Sequence, residues 1–226
     1  RVSPDKHETL AYVAALSRAI PNHLVARLVH GQTQSLASES LVTSVLYADL
    51  VGYTRLCEKY TQDHRNGLSE LSLLLDRIYV EVLEKALLRY GGSVLQFGGD
   101  SFTTIFIGNE AAQRAAAAAL AVVELATGPA GAMRSAGIEV RVGLSMGKMD
   151  LLMLGDLSRR LILCSGDVSH RAVALQRVAS PNQILCDTGT QVQLRAYAEL
   201  RPLENSAWEL VRLRRWPNQQ APIEPT

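Results

Sequence analysis

The sequence predicts an α/β sandwich, one largely antiparallel sheet covered by helices. Short β-branched runs alternate with longer apolar stripes at helical spacing. Two helical stretches separate the first strand from the second, a βααβ start. The glycine-broken segment from Gly91 to Ile107 reads as a tight hairpin.

Taken in order, Pro4 to Leu28 reads as helical, with Leu10, Val13, Leu16 and Ile20 in phase until Pro21 interrupts. His7, His23 and His30 are irregularly spaced, with no acid or Cys to complete a ligand set, and read as solvated. Gly31 to Ser40 reads as a linker. Ser44 to Ala48 is a buried strand, too short for a helix, and ends in Asp49. A turn at Val51-Gly52 leads to a short helix, Tyr53 to His64. Asn66 to Arg89 is a long amphipathic helix with Leu68, Leu71, Leu74, Leu75, Ile78, Val82, Leu83 and Leu87 as its core stripe.

The hairpin follows: Ser93 to Phe97, a turn at Gly98-Gly99-Asp100, and Ser101 to Ile107. Asn109 is placed to cap an Ala-rich helix from Glu110 to Thr127, which ends at Gly128-Pro129. Ile138 to Met146 and Met149 to Leu154 read as two strands, followed by a turn at Gly155-Asp156. Ser158-Arg159-Arg160 reads as solvated surface, and Leu161 to Cys164 as a return to the core. Gly166 opens a helix to Val178; Ile184 to Cys186 and Trp208 to Leu213 are strands. The domain division is 1–40 for an N-terminal helical segment and linker, 41–215 for the main domain, and 216–226 for a flexible tail.

A net charge of +1 supplies no electrostatic footprint for nucleic acid or an anionic membrane. Cys57, Cys164 and Cys186 are widely spaced, which argues against a disulfide framework or a zinc site. No uninterrupted apolar run approaches a membrane span, and the opening at Arg1 shows no signal-peptide pattern. The expectation is a cytoplasmic catalytic domain with no nucleic-acid or membrane partner.

Asp49 at a buried strand end, before a glycine turn, suits a metal-bound polyphosphate: the acid holds the cation and the turning backbone offers N–H groups. The same Asp would equally serve as a plain strand cap before a turn. If the hairpin pairs with the first strand, Asp100 arrives beside Asp49, and the two would repel unless a divalent cation lay between them. Such a pair suits two-metal phosphoryl or nucleotidyl chemistry.

Ala48-Asp-Leu-Val-Gly-Tyr-Thr54, Gly91-Gly92 through Phe97-Gly-Gly-Asp100, Val140-Arg-Val-Gly-Leu-Ser-Met-Gly147, Gly166-Asp-Val168 and Ala179-Ser-Pro-Asn-Gln-Ile-Leu185 resemble, in that order, the catalytic core of class III nucleotidyl cyclases. The resemblance is strongest to the first cyclase half of the soluble, bicarbonate-responsive adenylyl cyclases, whose lead-in is similar to Ile20-Pro-Asn-His-Leu-Val25. It implies a ferredoxin-like cyclase fold and two-metal conversion of ATP to cyclic AMP and pyrophosphate at a dimer interface. Two divalent cations, Mg²⁺ or Mn²⁺, would be held by Asp49, Leu50 and Asp100. The backbone of Leu50, Val51, Gly52, Tyr53 and Thr54 would bind phosphate. Arg141 would reach the terminal phosphates, or else act only as a structural ion-pair member.

The opposite face departs from the family pattern. The purine-recognising Lys falls at Gln96, its partner at Leu163, the Asn at His170 and the transition-state Arg at Ala174. Arg171 leaves from a different helix face. Gln96 and Ala174 also replace basic residues expected around a bicarbonate. The resemblance therefore implies a metal-bearing half that needs a second cyclase-homology half in cis or trans, with a homodimer feeble. The alternatives are a non-catalytic regulatory or dimerisation module, a guanylyl cyclase using GTP, and, from Gly98-Gly-Asp-Ser-Phe102, a diguanylate cyclase.

Overall fold

The computed structural model describes residues 38–63, 67–155 and 160–218. The expectations for the N-terminal helix, its histidines, most of the linker, Ser158-Arg159 and most of the tail lie outside these residues.

The chain forms one sheet in the order β2-β3-β1-β4-β6-β8-β7, with β5 on β4. Its elements are β1 (Ser38–Val51), α1 (Tyr53–Asp63), α2 (Gly67–Glu81), β2 (Ser93–Gly98), β3 (Ser101–Ile107), α3 (Ala111–Thr127), α4 (Ala132–Ser135), β4 (Glu139–Gly155), β5 (Arg160–Ser165), α5 (Asp167–Val178), β6 (Ile184–Cys186), α6 (Thr188–Leu194), β7 (Ala198–Pro202) and β8 (Trp208–Leu213). Every pairing is antiparallel except β4 with β6. The predicted sandwich is therefore the observed one.

Several boundaries differ from the sequence reading. The first strand begins at Ser38, inside the expected linker, because β4 pairs with it from Ser38↔Leu152 to Val51↔Glu139. The two strands expected over 138–154 are one, Glu139–Gly155. Gly147 lies within that strand instead of breaking it. The long second helix passes through a π-helical segment at Val82–Leu87 and a 3₁₀ turn at Leu88–Tyr90. Leu68, counted in its core stripe, is exposed, whereas Leu71, Ile78, Val82 and Leu87 are buried. Asn109 makes no side-chain cap; Glu110 occupies the N-cap position with φ 54°. Leu163, expected to return to the core, is 47% exposed. Helix α6 and strand β7 fill a stretch that the sequence reading left without elements.

The larger core lies between the sheet and helices α1 to α3, built on Leu46, Ala48, Leu50, Ile78, Phe102 and the alanines of α3. The stretch 111–135, spanning α3 and α4, is long and apolar enough to cross a membrane by length and composition. The buried face of α3 belongs to this core. Arg114 on α3 donates to the carbonyls of Tyr90, Gly91, Ile107 and Asn109, fastening the base of the β2–β3 hairpin. The three cysteines are free.

A second, smaller core lies on the other face, where α5 sets Val168 and Ala172 against Val45, Ile105, Met149 and Leu151. Helix α5 lies unusually close to β4. A Cβ on Gly143 would stand 1.9 Å from the Ala172 carbonyl oxygen and 2.8 Å from the Gln176 nitrogen. A Cβ on Gly147 would meet the Arg171 guanidinium at 2.7 Å. Glycine at 143 is thus required by contact with rigid backbone. Gly143→Ala should cost about 3 kcal/mol, the upper part of the usual overpacking range, read as a lower urea midpoint at unchanged slope.

Candidate active site

The register brings the two predicted acids to one end of the sheet. Asp49 is the last residue of β1 paired to β3, opposite Ser101. On its other edge it faces Arg141 of β4. Asp100 precedes Ser101 in the two-residue turn, and its carbonyl accepts the Leu50 N–H at 2.7 Å. The hairpin thus pairs with the first strand as the sequence predicts. That bond also uses one of the five backbone donors assigned to phosphate, so Leu50 has only its carbonyl left for a ligand on that edge. Past Val51 the chain turns at Gly52, whose φ of 95° suits glycine. Leu56 N–H donates to the Gly52 carbonyl as α1 begins. The N–H groups of the first turn, Tyr53 and Thr54 among them, have no partner within the helix itself.

Arg141 donates from Nη2 to Oδ2 of Asp49, and Gln176 of α5 donates to the same oxygen from Nε2 at 3.1 Å. Among the described residues Oδ1 of Asp49 and the Asp100 carboxylate take no protein hydrogen bond. Nε of Arg141 is buried without an acceptor. The repulsion expected between the acids is thereby relieved in part within the chain, because Arg141 balances the Asp49 charge. The structure displays the ion-pair alternative for Arg141. No group of three or more His, Cys, Asp or Glu residues forms among the described residues. The free oxygens of Asp49 and Asp100 are hard donors suited to a divalent cation.

Aromatic residues fix the hairpin tip. The Tyr79 hydroxyl donates to the Gly99 carbonyl, and its ring meets Phe97 edge-on at 5.2 Å. Burial, and then the nearby charges of Tyr53, Asp100 and Cys57, push the Tyr79 hydroxyl up to about 12, so it stays a donor at neutral pH.

The opposite-face positions are dispersed. Gln96 is exposed on β2, opposite Thr103, beside a bulge in the strand. Leu163 pairs with Leu152 and so faces the other side of the sheet. His170 and Ala174 are exposed on one face of α5. Arg171, also exposed, donates to Asp187, Ser145 and the Met146 carbonyl. It ties α5 to β4 and to Asp187 there.

Gln176 escaped the sequence reading. The buried positions of α5 are Val168, Ala172 and Gln176, a stripe at i, i+4, i+8. A lone amide on an otherwise apolar stripe was the available signal.

The adenylate and guanylate cyclase catalytic domain family model matches residues 37–207. The chain belongs to this family, the class III nucleotidyl cyclases. Solved cyclase structures share its fold. The dimeric guanylyl cyclase domain of the RhoGC fusion protein from the aquatic fungus Blastocladiella emersonii is 17% identical, with TM-score 0.66, covering 80% of this chain and 99% of that one. The guanylate cyclase domain of RhGC from Catenaria anguillulae, in complex with GTP, is 17% identical, with TM-score 0.65, covering 78% and 100%. The adenylyl cyclase CyaB from P. aeruginosa is 20% identical, with TM-score 0.61, covering 80% and 98%. A sequence comparison with curated proteins finds no match.

The clamp that seats α5 in this cyclase domain holds a carboxyl whose surroundings shift its titration. Burial would raise the Asp187 carboxyl, but hydrogen bonds from Ser145, from the Thr190 N–H and hydroxyl, and from Arg171 outweigh it and hold it below the ordinary 3.8. A depressed carboxyl stabilises the fold fully above its unfolded value, and that contribution disappears as pH falls through the folded one. Stability should therefore drop below about pH 4, and Asp187→Asn should flatten that part of a denaturation-versus-pH curve.

Proposed function

We propose that this chain is the metal-bearing half of an adenylyl cyclase, most like the first half of the soluble adenylyl cyclases, acting in the cytoplasm. It would convert ATP to cyclic AMP and pyrophosphate with a complementary half in cis or trans. The observation that carries the reading is the convergence of Asp49, Asp100 and the unpartnered Arg141 Nε at one strand end.

Asp49 and Asp100 would hold two divalent cations, Mg²⁺ or Mn²⁺, with the Leu50 carbonyl available on the same edge. Bound there, the cations would supply Lewis-acid activation of the ribose 3′-hydroxyl and charge neutralisation at the phosphates. The first-turn N–H groups of α1 and the Val51-Gly52 turn would receive phosphate oxygens, where aligned peptide dipoles favour an anion. Arg141 has a buried donor to offer a phosphate while its other arm steadies Asp49. ATP is preferred to GTP on the resemblance to soluble adenylyl cyclases; guanylyl cyclases are among the structures that share the fold.

The partner requirement follows from the other face. Leu163 presents no hydrogen-bonding group to a purine, Ala174 carries no charge, and Arg171 is committed to Asp187. Losing one transition-state donor costs about 10²–10³-fold in rate. A second reading, a non-catalytic cyclase-homology module, is favoured by one observation: Arg141 and Gln176 satisfy Oδ2 of Asp49 within the chain.

Turnover of ATP and GTP with Mg²⁺ or Mn²⁺, with the cyclic product identified, separates these readings. Alone, the chain should match its Asp49→Ala control. With a cyclase half supplying the purine-recognising residues and the Asn/Arg pair, activity should rise by at least about 10²-fold and vanish again in Asp49→Ala. Silence in the complemented complex would favour the non-catalytic module. Activity of the chain alone, rising with the square of its concentration, would establish a working homodimer instead.

A further inference from the structure

We propose that Gln176 is a positioning residue for the metal-holding Asp49, an inference that rests on the reading of Asp49 and Asp100 as a cation site. Gln176 is 4% exposed and occupies the inner stripe of α5 after Val168 and Ala172. An apolar residue would continue that stripe without the desolvation cost of an amide, which is considerable unless the amide is hydrogen-bonded. Its Nε2 is hydrogen-bonded to Oδ2 of Asp49 at 3.1 Å. The close seating of this part of α5 depends on the bare Gly143 beneath it, where a Cβ would stand 2.8 Å from the Gln176 backbone nitrogen.

Two donors hold Oδ2, and they differ in kind. Arg141 brings a full positive charge, which offsets the carboxylate and weakens its pull on a cation. Gln176 brings a neutral N–H, which fixes the rotation of the carboxylate and leaves its charge intact. With Oδ2 held from α5 and β4, Oδ1 is the oxygen left for a cation. Arg141 would be shared between Asp49 and an anionic ligand, whereas Gln176 is the donor devoted to Asp49. The amide thus separates orientation of the acid from neutralisation of it.

The test is Mn²⁺ binding to the whole chain, followed by the relaxation enhancement of water protons, with no nucleotide and no turnover. Gln176→Met keeps the length and removes the donor. It should weaken Asp49-dependent Mn²⁺ binding about 10-fold, the low end of what loss of a hydrogen-bond partner to a metal ligand costs. Its thermal midpoint should stay close to that of the parent. Gln176→Asn retains an amide one methylene too short to reach, and should weaken binding likewise if the Met variant packs poorly. Asp187→Asn releases the Arg171 anchor of the same helix without touching Asp49, and should leave Mn²⁺ binding within about twofold, well short of the 10-fold loss.

Unchanged Mn²⁺ binding in both Gln176 variants would overturn the inference while leaving the cation site standing. Equal weakening by Asp187→Asn would also overturn it, since Gln176 would then act only by seating the helix. Parent protein whose Mn²⁺ binding is indifferent to Asp49→Ala would remove the cation site itself, and the inference with it.

Discussion

Strand β1 is paired along both edges, to β3 from Thr43 to Asp49 and to β4 over its full length. A strand so held cannot slip by one residue without turning Leu46, Ala48 and Leu50 out of one core and Val45 out of the other. The pairing with β3 ends at Asp49, and that is where the candidate chemistry begins. Rigid neighbours on both sides fix the backbone of the acid. Its side chain is settled by Arg141 from β4 and by Gln176 from the helix above. The placement of Asp100 derives from the same ladder, through the hairpin that continues it.

Much of this was legible in the sequence, for physical reasons that differ from residue to residue. Asp49 stood out because a β-branched run stopped at an acid before a glycine turn. Asp100 stood out because two glycines and an acid at the centre of an apolar segment make a hairpin tip. The start of β1 was hidden because Ser38, Glu39 and Ser40 are poor local strand formers, and only pairing with β4 holds them extended. Gly147 falls in the gap between the two strands expected over 138–154. It is a contact point, where a side chain would strike the Arg171 guanidinium. The partners of Arg141 and Gln176 could not be read at all, since each hydrogen bond joins residues far apart in sequence.

The two halves of the candidate site have different physical characters. The acid-bearing half is dense with interactions: paired strands, a helix resting on bare glycine, and an aromatic latch from Tyr79 to the hairpin tip. The positions matching the purine-reading half are solvent-facing, and their side chains converge on nothing among the described residues. Arg171, the basic side chain nearest to them in sequence, is spent inside the fold on Asp187. Under the proposed function, the rigid part of a shared site lies in this domain and nucleobase recognition would come from another surface.

The β2–β3 hairpin is fastened twice, at its base by the four carbonyls that Arg114 gathers and near its tip by Tyr79 on Gly99. Mechanically it is a beam clamped at both ends, one clamp on the core helix α3 and the other on the surface helix α2. Such a beam does not flex independently. Displacing Asp100 from Asp49 would break its backbone bond to Leu50 and either break the Tyr79 bond to Gly99 or carry α2 along, which links the spacing of the acids to the seating of the helical layer.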